Sequence, residues 1–349
     1  MNRWDAFTAV CSYLRAGLLK NTPLHRVNDP SWELLIEASS HHYVTPALAW
    51  CLKDQKEIPS EIREYLDAVL ALNARRNEGL LAGLARIVAA LNAIDIEPVL
   101  LKGAARLVEA SYPAPMLRFL GDLDVLIPAE RSASAVAVLH SIGFRANADD
   151  QTLPSAHHLP MLHERETGVG VELHTDVVAD LGAAVIPTGW FYKETKPFPF
   201  RDLQIRLPDA TRSAGHNIVH DQLSHWGYRG GRVELRQLLD LAMIRRASES
   251  AIDWAELDDR FCSVGFGEVL PTYLKFAEVL LGQPAPRLRH APRIGAVTDF
   301  SRAIEPPAMI LLDYVARLRR DPRIVFKLFD LKSWPNRCVN AFKRKSPSW

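Results

Sequence analysis

The sequence predicts an α+β protein in which a small mixed sheet lies between two helical regions. Residues 1–95 place apolar side chains at helical spacing, and the pattern changes at Glu97 to short apolar runs that alternate with helical segments. Helical spacing returns after residue 207. We therefore expect an N-terminal helical region at 1–95, a sheet core at 96–207, and a C-terminal helical region with a basic tail at 208–349.

The composition is that of an ordinary soluble globular protein. The 349 residues are 48% hydrophobic and 24% charged, and the net charge of +1 favours neither a nucleic-acid nor a membrane partner. The four cysteines form no CxxC pair, which predicts reduced thiols in a cytoplasmic protein. Asp5 and Arg15 interrupt the apolar pattern near the start of the chain, so we expect neither a signal peptide nor a membrane anchor there.

Local signals subdivide the N-terminal region into helices. Ser31 precedes an apolar periodic stretch as a helix N-cap, and Pro46 marks the start of another helix. The stretch 60–94 is amphipathic and rich in Ala and Leu, which predicts one long helix.

In the core region, strands and helices alternate. The runs "EPVLLKG" and "DLDVLIP" are predicted strands, and "AARLVEASY" and "AERSASAVAVLHSIGF" are predicted helices. Two further strands are expected around a turn at Thr167–Gly168. Beyond the core, strong helical patterns at 208–226 and 232–250 flank the glycine-rich "GYRGGR". The basic end at 324–349 is either a solvated helix and tail or a contact for a phosphate-rich ligand.

Two carboxylates stand one residue apart in a predicted strand. On a strand, Asp122 and Asp124 point to one face, ~7 Å apart, while Leu123 and Val125 point to the other. Such a pair attracts a divalent cation, because hard cations prefer oxygen ligands. The alternative is that Asp122 caps a turn after Gly121 and only Asp124 belongs to the strand.

A third carboxylate on another strand favours the metal interpretation. In "VGVELHTDV", Glu172 shares a face with Gly170 and His174. Three acids held together need metal, since like charges otherwise raise each other's pKa. Two metal ions held in this way clamp the attacking and leaving oxygens in phosphoryl or nucleotidyl transfer.

A phosphate-binding segment is predicted about twenty residues before the aspartates. Gly103 lets the backbone approach a ligand closely, and the helix that follows begins with free N–H groups. Lys102 and Arg118 add positive charge.

In this order, the motifs resemble the nucleotidyltransferase superfamily of DNA polymerase β and the aminoglycoside nucleotidyltransferases. More narrowly, the chain is similar to an uncharacterised bacterial nucleotidyltransferase family with the pattern LKG, R-x-x-x-D-[IL]-D, HH-x-P and E-[IL]-H. These read LLKGAA at 100–105, RFLGDLD at 118–124, HHLP at 157–160 and VELH at 171–174, and LRQLLDLA at 235–242 resembles the family's C-terminal helix. The resemblance covers roughly residues 30–245.

The resemblance implies that 96–207 is a nucleotidyltransferase core. Asp122, Asp124 and Glu172 would then be the catalytic residues and would hold two Mg²⁺ ions, with Mn²⁺ as an alternative. The predicted nucleotide-binding residues are Lys102, Gly103, Arg118, His158 and His174. The wider superfamily has Gly-Ser after the first strand, whereas this chain has Lys102-Gly103-Ala104 and no hydroxyl.

The implied reaction moves an NMP group from an NTP, ATP by default, to a hydroxyl or phosphate of an acceptor. The acceptor is a small molecule, a peptide or a protein side chain; relatives beside peptide natural-product genes suggest peptide tailoring. The second hypothesis is a catalytically weak nucleotide-binding regulatory or antitoxin-like protein on the same fold. The intact set of three acids favours the enzyme.

Several other polar residues have two interpretations. His174 either orients a carboxylate or contacts phosphate, or it is a core histidine, and "GYRGGR" is either a loop over the nucleotide or a plain connection. His216 and His220 have a zinc-compatible spacing, but Asn217 stands where a metalloprotease needs Glu. We expect these two histidines and His225 to line a helix face, as the wall of the cleft.

Two remaining expectations complete the set of polar sites. Arg236 and Asp240, at i and i+4, are predicted to form a structural ion pair. His158 is expected to form a hydrogen bond near the catalytic sheet.

Overall fold

The computed structural model describes residues 1–22, 31–146, 157–225 and 227–293. The predicted basic tail at 324–349 lies outside these residues. The helices are α1 (Arg3–Leu14), α2 (Trp32–His41), α3 (Thr45–Leu52), α4 (Ser60–Asn92), α5 (Lys102–Val108), α6 (Ser132–Ser141), α7 (Asp180–Val185), α8 (Thr188–Lys193), α9 (Ala210–Val219), α10 (Gly227–Gly230), α11 (Leu235–Ser248), α12 (Trp254–Ser263) and α13 (Val269–Leu281). The strands are β1 (Val99–Leu100), β2 (Leu123–Leu126), β3 (Phe144–Ala146), β4 (Leu162–Glu164), β5 (Gly170–His174), β6 (Thr195–Phe200) and β7 (Leu203–Pro208).

The described strands form one mixed sheet of seven, in the order β3-β4-β5-β2-β1-β7-β6. The pairs β2–β5 and β1–β7 are parallel, and the other neighbours are antiparallel. The predicted fold class, a mixed sheet flanked by helices on either side in sequence, is confirmed. β2 and β5, which carry the predicted acids, are direct neighbours near the middle of the sheet.

The two strands at 195–208 were not predicted from the sequence. β6 and β7 form a hairpin there, and β6 contains Pro197 and Pro199. Proline cannot donate to a strand ladder, so its presence normally argues against a strand. β6 tolerates both prolines because it lies at the edge of the sheet.

One face of the sheet is covered by helices α4 and α6. The apolar side chains that point to this face from β2 and β5 share a core with the second half of α4: Leu123, Val125, Val171, Leu173, Leu84, Ile87, Val88 and Leu91. At Gly83 a Cβ would lie 2.7 Å from Val169, so this glycine lets α4 approach the sheet closely. The N-terminal helical region and the sheet therefore share one hydrophobic core.

Several predicted helix signals are confirmed. Ser31 caps α2 by accepting a hydrogen bond from the N–H of Leu34, Pro46 lies in the first turn of α3, and α4 runs for 33 residues. The glycine-rich segment forms the short helix α10 and a turn. None of the described helices is long and apolar enough to cross a membrane.

Candidate active site

The strand register places an acid from β2 directly beside an acid from β5. Asp124 pairs with Glu172, and Leu126 pairs with His174. Because side chains alternate along a strand, Asp124, Glu172 and His174 all point to the face opposite the shared core. Nε2 of His174 donates to Oδ1 of Asp124 at 3.0 Å and lies 3.6 Å from Oε2 of Glu172. One ligand atom from each residue lies within 4.8 Å of the others.

Asp122 lies in a bend immediately before β2, so only Asp124 belongs to the strand. The alternative in which only Asp124 belongs to the strand is therefore confirmed. Asp122 nevertheless belongs to the acid cluster electrostatically. Burial, reinforced by the charges of Asp124 and Glu172, raises the pKa of Asp122 to about 6.

Lys102 supplies the positive charge nearest to Asp124. Its Nζ lies 2.6 Å from Oδ1 of Asp124, and only 19% of its side chain is exposed. Burial alone would lower the pKa of Lys102, but Asp124, Glu172 and Asp122 raise it. Burial likewise would raise the pKa of Asp124, but Lys102 and His174 hold it well below its usual range. Lys102 and Asp124 therefore form a charged pair.

The backbone at Lys102 is strained. Its φ is +45°, in the left-handed region that a residue with a Cβ seldom adopts. Such strain costs on the order of 1–3 kcal/mol and tends to persist where the surrounding structure enforces it, often at functional sites. The hydrogen bond from the N–H of Leu101 to the carbonyl of Asp124 ties this segment to β2.

Arg118 lies behind the first turn of α5, in a buried ion pair. Its Nε and Nη2 donate to Oδ1 and Oδ2 of Asp240 at 2.9 and 2.7 Å, and the hydroxyl of Tyr112 donates to Oδ1 at 2.7 Å. At Gly103, a Cβ would lie 2.3 Å from Nη1 of Arg118, so only glycine admits the guanidinium at this position. The predicted phosphate contact of Arg118 stays a prediction, and the structure shows its hydrogen bonds with Asp240.

The predicted ion pair between Arg236 and Asp240 is wrong. Nε of Arg236 instead lies 2.7 Å from Oε1 of Glu234. Arg118 and Arg236 compete for the carboxylate of Asp240. Arg118 donates two parallel hydrogen bonds to it in a buried site, and a neighbour at i, i+4 on the same helix does not offer this geometry.

Three polar residues of α4 hold the segment that leads to Asp122. The amides of Asn73 and Asn77 both donate to the carbonyl of Arg118, at 3.1 and 2.9 Å. The guanidinium of Arg76 donates to the carbonyls of Leu120 and Gly121. Sequence reasoning missed these residues. Two asparagines four residues apart on the otherwise apolar side of a long helix were the sequence feature that could have indicated them.

Several histidines lie near the acid cluster. His158 forms an isolated antiparallel bridge with His174, and its Nδ1 lies 2.9 Å from the carbonyl oxygen of Leu159. Elsewhere, His216 of α9 and His220, which follows the last residue of α9, line a small, partly open pocket together with Lys102. Burial, together with the charges of Lys102 and His174, lowers the pKa of His216 to about 3, and burial and Lys102 lower the pKa of His220 well below its usual range. Both histidines are therefore neutral. His225 packs against the ring of His220 at 4.1 Å.

Comparison with protein families decides the assignment of the chain. A family model described as "uncharacterised nucleotidyltransferase" matches residues 28–282. The chain belongs to this family. No curated protein matches it.

Solved structures of other nucleotidyltransferases resemble the chain at low sequence identity. The solution structure of the antibiotic-resistance factor ANT(2'')-Ia has 9% identity and a TM-score of 0.36, covering 52% of this chain and 89% of its own. ANT(2'')-Ia in complex with adenylyl-2''-tobramycin has 11% identity and a TM-score of 0.36, covering 53% and 95%. An antigenic nucleotidyltransferase-like protein from Paracoccidioides brasiliensis has 13% identity and a TM-score of 0.39, covering 60% and 95%.

The acid cluster of this nucleotidyltransferase has the donor chemistry of a divalent-cation site. Asp122, Asp124 and Glu172 offer carboxylate oxygens, which hard cations prefer. Nζ of Lys102 lies 2.6 Å from Oδ1 of Asp124, and burial, followed by the charges of Asp124 and Glu172, raises the pKa of Asp122. A divalent cation would supply the missing positive charge. This donor chemistry therefore fits a divalent cation.

Proposed function

We propose that the protein is a metal-dependent nucleotidyltransferase that moves an NMP group from an NTP, with ATP as the default, to a hydroxyl or phosphate of an acceptor. The observation that carries this proposal is the register of β2 and β5, which sets Asp124 beside Glu172 with Asp122 two residues away. Family membership supports the reaction class.

Asp122, Asp124 and Glu172 would hold two Mg²⁺ ions, with Mn²⁺ as an alternative. Such ions, when bound, stabilise negative charge on the attacking and leaving oxygens. Nε2 of His174 donates a hydrogen bond to Asp124, so the role of His174 is to orient this carboxylate.

Access to solvent separates the roles of the two paired acids. The side chain of Asp124 is 7% exposed and that of Glu172 is 18% exposed. Glu172 is therefore the carboxylate better placed to approach the acceptor hydroxyl. Asp124 sits deeper, fixed by Lys102 and His174.

Lys102 and the segment around Gly103 are the proposed contact for the triphosphate. The pKa of Lys102 is raised by the neighbouring acids, so its ammonium is charged, and Lys102 is itself the strained residue at the start of α5. A phosphate oxygen is a natural second partner for this ammonium. Arg118 contributes by position: its pair with Asp240 holds the segment between α5 and β2.

The acceptor is proposed as a small molecule, a peptide or a protein side chain, with peptide tailoring as the working case. The alternative function is a nucleotide-binding regulatory or antitoxin-like protein. Two features favour the enzyme. All three acids are present, and burial together with the charges of Asp124 and Glu172 raises the pKa of Asp122, an arrangement that nucleotide binding alone does not need.

Pyrophosphate release tests the proposal directly. The protein is incubated with each NTP and Mg²⁺ or Mn²⁺ in a cell lysate, and pyrophosphate and labelled NMP on acceptors are measured. We expect metal-dependent release with the wild type and none with Asp124→Asn. Asp221→Asn is the matched control, because Asp221 is also a buried acid but lies outside the cluster.

Two results would overturn the proposal. Equal activity of Asp124→Asn and the wild type would contradict the assigned role of Asp124. Tight nucleotide binding by calorimetry, with no NMP transferred to any lysate component and no effect of Asp124→Asn on affinity, would instead support the regulatory alternative.

A further inference from the structure

A second group of metal-ligating side chains lies on helix α12, outside the acid cluster. Asp258 and Cys262 are four residues apart and therefore share one face of the helix. His290, from the segment after α13, completes the group. Sγ of Cys262 lies 3.3 Å from Nδ1 of His290 and 3.8 Å from Oδ1 of Asp258. One ligand atom from each of the three lies within 4.8 Å of the others.

These separations are close to those of a tetrahedral zinc site. With bond lengths of ~2.3 Å to sulfur and ~2.0–2.2 Å to nitrogen and oxygen, neighbouring ligand atoms lie about 3.4–3.6 Å apart. The distances from Sγ of Cys262 to His290 and to Asp258, 3.3 and 3.8 Å, bracket this range, and the ligand atoms of Asp258 and His290 lie within 4.8 Å of each other. Thiolate and imidazole ligands favour zinc over magnesium, so the chemistry differs from that of the acid cluster on the sheet.

The surroundings of the group hold the three ligands in place. Asp258 is only 2% exposed, and its Oδ2 accepts a hydrogen bond from the backbone N–H of Arg289 at 3.0 Å. This bond orients the carboxylate and leaves Oδ1 on the side of Cys262. At Gly267, a Cβ would lie 2.9 Å from the His290 ring and 3.2 Å from Sγ of Cys262. Because glycine has no Cβ, the His290 ring and the sulfur of Cys262 can both pack against position 267.

A nucleophilic role for the thiol fits the geometry less well. A catalytic cysteine uses histidine as base, with an acid that orients the histidine. Here the acid contacts the thiol and the backbone of Arg289.

We propose that Asp258, Cys262 and His290 bind a Zn²⁺ ion that fastens the segment 283–293 to helix α12. His290 is exposed, so the site faces solvent and keeps one position for water. The site is independent of the proposed nucleotidyl transfer, because it shares no residue with the acid cluster.

Metal binding by the full-length protein tests this proposal without reference to activity. The chelator-treated protein is titrated with Co²⁺, and the absorbance of a thiolate-to-cobalt charge-transfer band is followed. Zn²⁺ affinity is then measured by competition with a chromophoric chelator. We expect a thiolate band and stoichiometric zinc in the wild type. Cys262→Ser should lose the band and weaken zinc binding by more than about tenfold.

Three further variants make the result specific. Cys51→Ser and Asp124→Asn should keep both the band and the zinc affinity. Cys262→His should lose the band yet retain zinc, because imidazole replaces thiolate as a ligand. Circular dichroism confirms that each variant is folded. A wild type without a thiolate band, or unchanged zinc affinity in both Cys262→Ser and His290→Gln, would overturn the proposal.

Discussion

The acid cluster and the buried Arg118–Asp240 ion pair differ in how the charge of their carboxylates is balanced. In the acid cluster, three carboxylates lie near Lys102, and burial together with the neighbouring acids raises the pKa of Asp122 to about 6. In the buried ion pair, burial would raise the pKa of Asp240, but the guanidinium of Arg118 lowers it. Removing one partner of the balanced pair would leave the other charge buried and uncompensated. The unbalanced cluster holds electrostatic free energy that a bound cation can release, which is typical of a functional site.

The two groups are also connected through the chain. Arg118 of the ion pair and Asp124 of the cluster lie on one short segment, which α4 holds from the other side through Asn73 and Asn77. Disturbing the cluster should remove the chemistry and leave the fold intact. Disturbing the ion pair should affect both the fold and the position of the acids.

The largest expected effect is that of Asp124→Asn on transfer. The change removes one negative charge from the cluster and keeps the shape, so we expect a loss of at least ~10³-fold in rate, as for other groups that hold transition-state charge. Initial rates of pyrophosphate release measure it. Asp221→Asn should keep wild-type rates. A residual rate above a tenth of wild type would show that the acid cluster is not the catalytic centre.

Asp240→Ala should destabilise the protein by about 3–5 kcal/mol, because it leaves the Arg118 guanidinium buried without a counter-charge. Urea unfolding measures the change. Arg118→Met combined with Asp240→Leu should recover most of that stability, since apolar side chains can replace a buried ion pair. If Asp240→Ala alone unfolds at the wild-type urea concentration, the pair is not balanced in the way described.

Asp122→Asn should abolish transfer. In contrast to Asp240→Ala, it should raise the free energy of unfolding of the metal-free protein at pH 7. The pKa of Asp122 is raised from 3.8 to about 6 in the folded state. The folded state therefore binds more protons between these values, and this contribution to stability is complete below pH ~4 and lost as the pH rises through about 6. Removing the charge should regain up to about 3 kcal/mol at pH 7.

Thermal melts from pH 4 to 8, with chelator and with Mg²⁺, test this prediction. With chelator, the difference between Asp122→Asn and wild type should grow as the pH rises, and Mg²⁺ should reduce it. A variant that is less stable than wild type at pH 7 without metal would contradict the unbalanced charge assigned to the cluster.

The smallest predicted effect is that of Gly103→Ala, which should cost about 1–3 kcal/mol because the new methyl group overlaps the Arg118 guanidinium. Gly79→Ala is the matched control on α4, where no atom lies within 4 Å of the added Cβ. It should be neutral or stabilising by roughly 0.5–1 kcal/mol, as alanine is favoured in helices. Equal melting temperatures for the two variants would show that Arg118 does not pack tightly on Gly103.

Local pattern accounts for much of the fold. The two-residue period of the strands predicted that Leu123 and Val125 face away from Asp124, and the structure places both in the shared core. The turn at Thr167–Gly168 and the cap at Ser31 follow from side-chain chemistry within a few residues. The hairpin β6–β7 was not predicted, since prolines in a strand are acceptable only at a sheet edge, and the edge is a property of the assembled sheet.

The sequence by itself determined which residue types the site contains and which face of their strands Asp124 and Glu172 occupy. The tertiary structure alone decided that β2 and β5 are parallel neighbours with Asp124 beside Glu172, and that Asp240 pairs with Arg118 rather than with Arg236. The physical reason is range. Periodicity fixes the direction of a side chain within one element, whereas partners far apart in sequence are selected by burial, charge and geometry after the elements have packed.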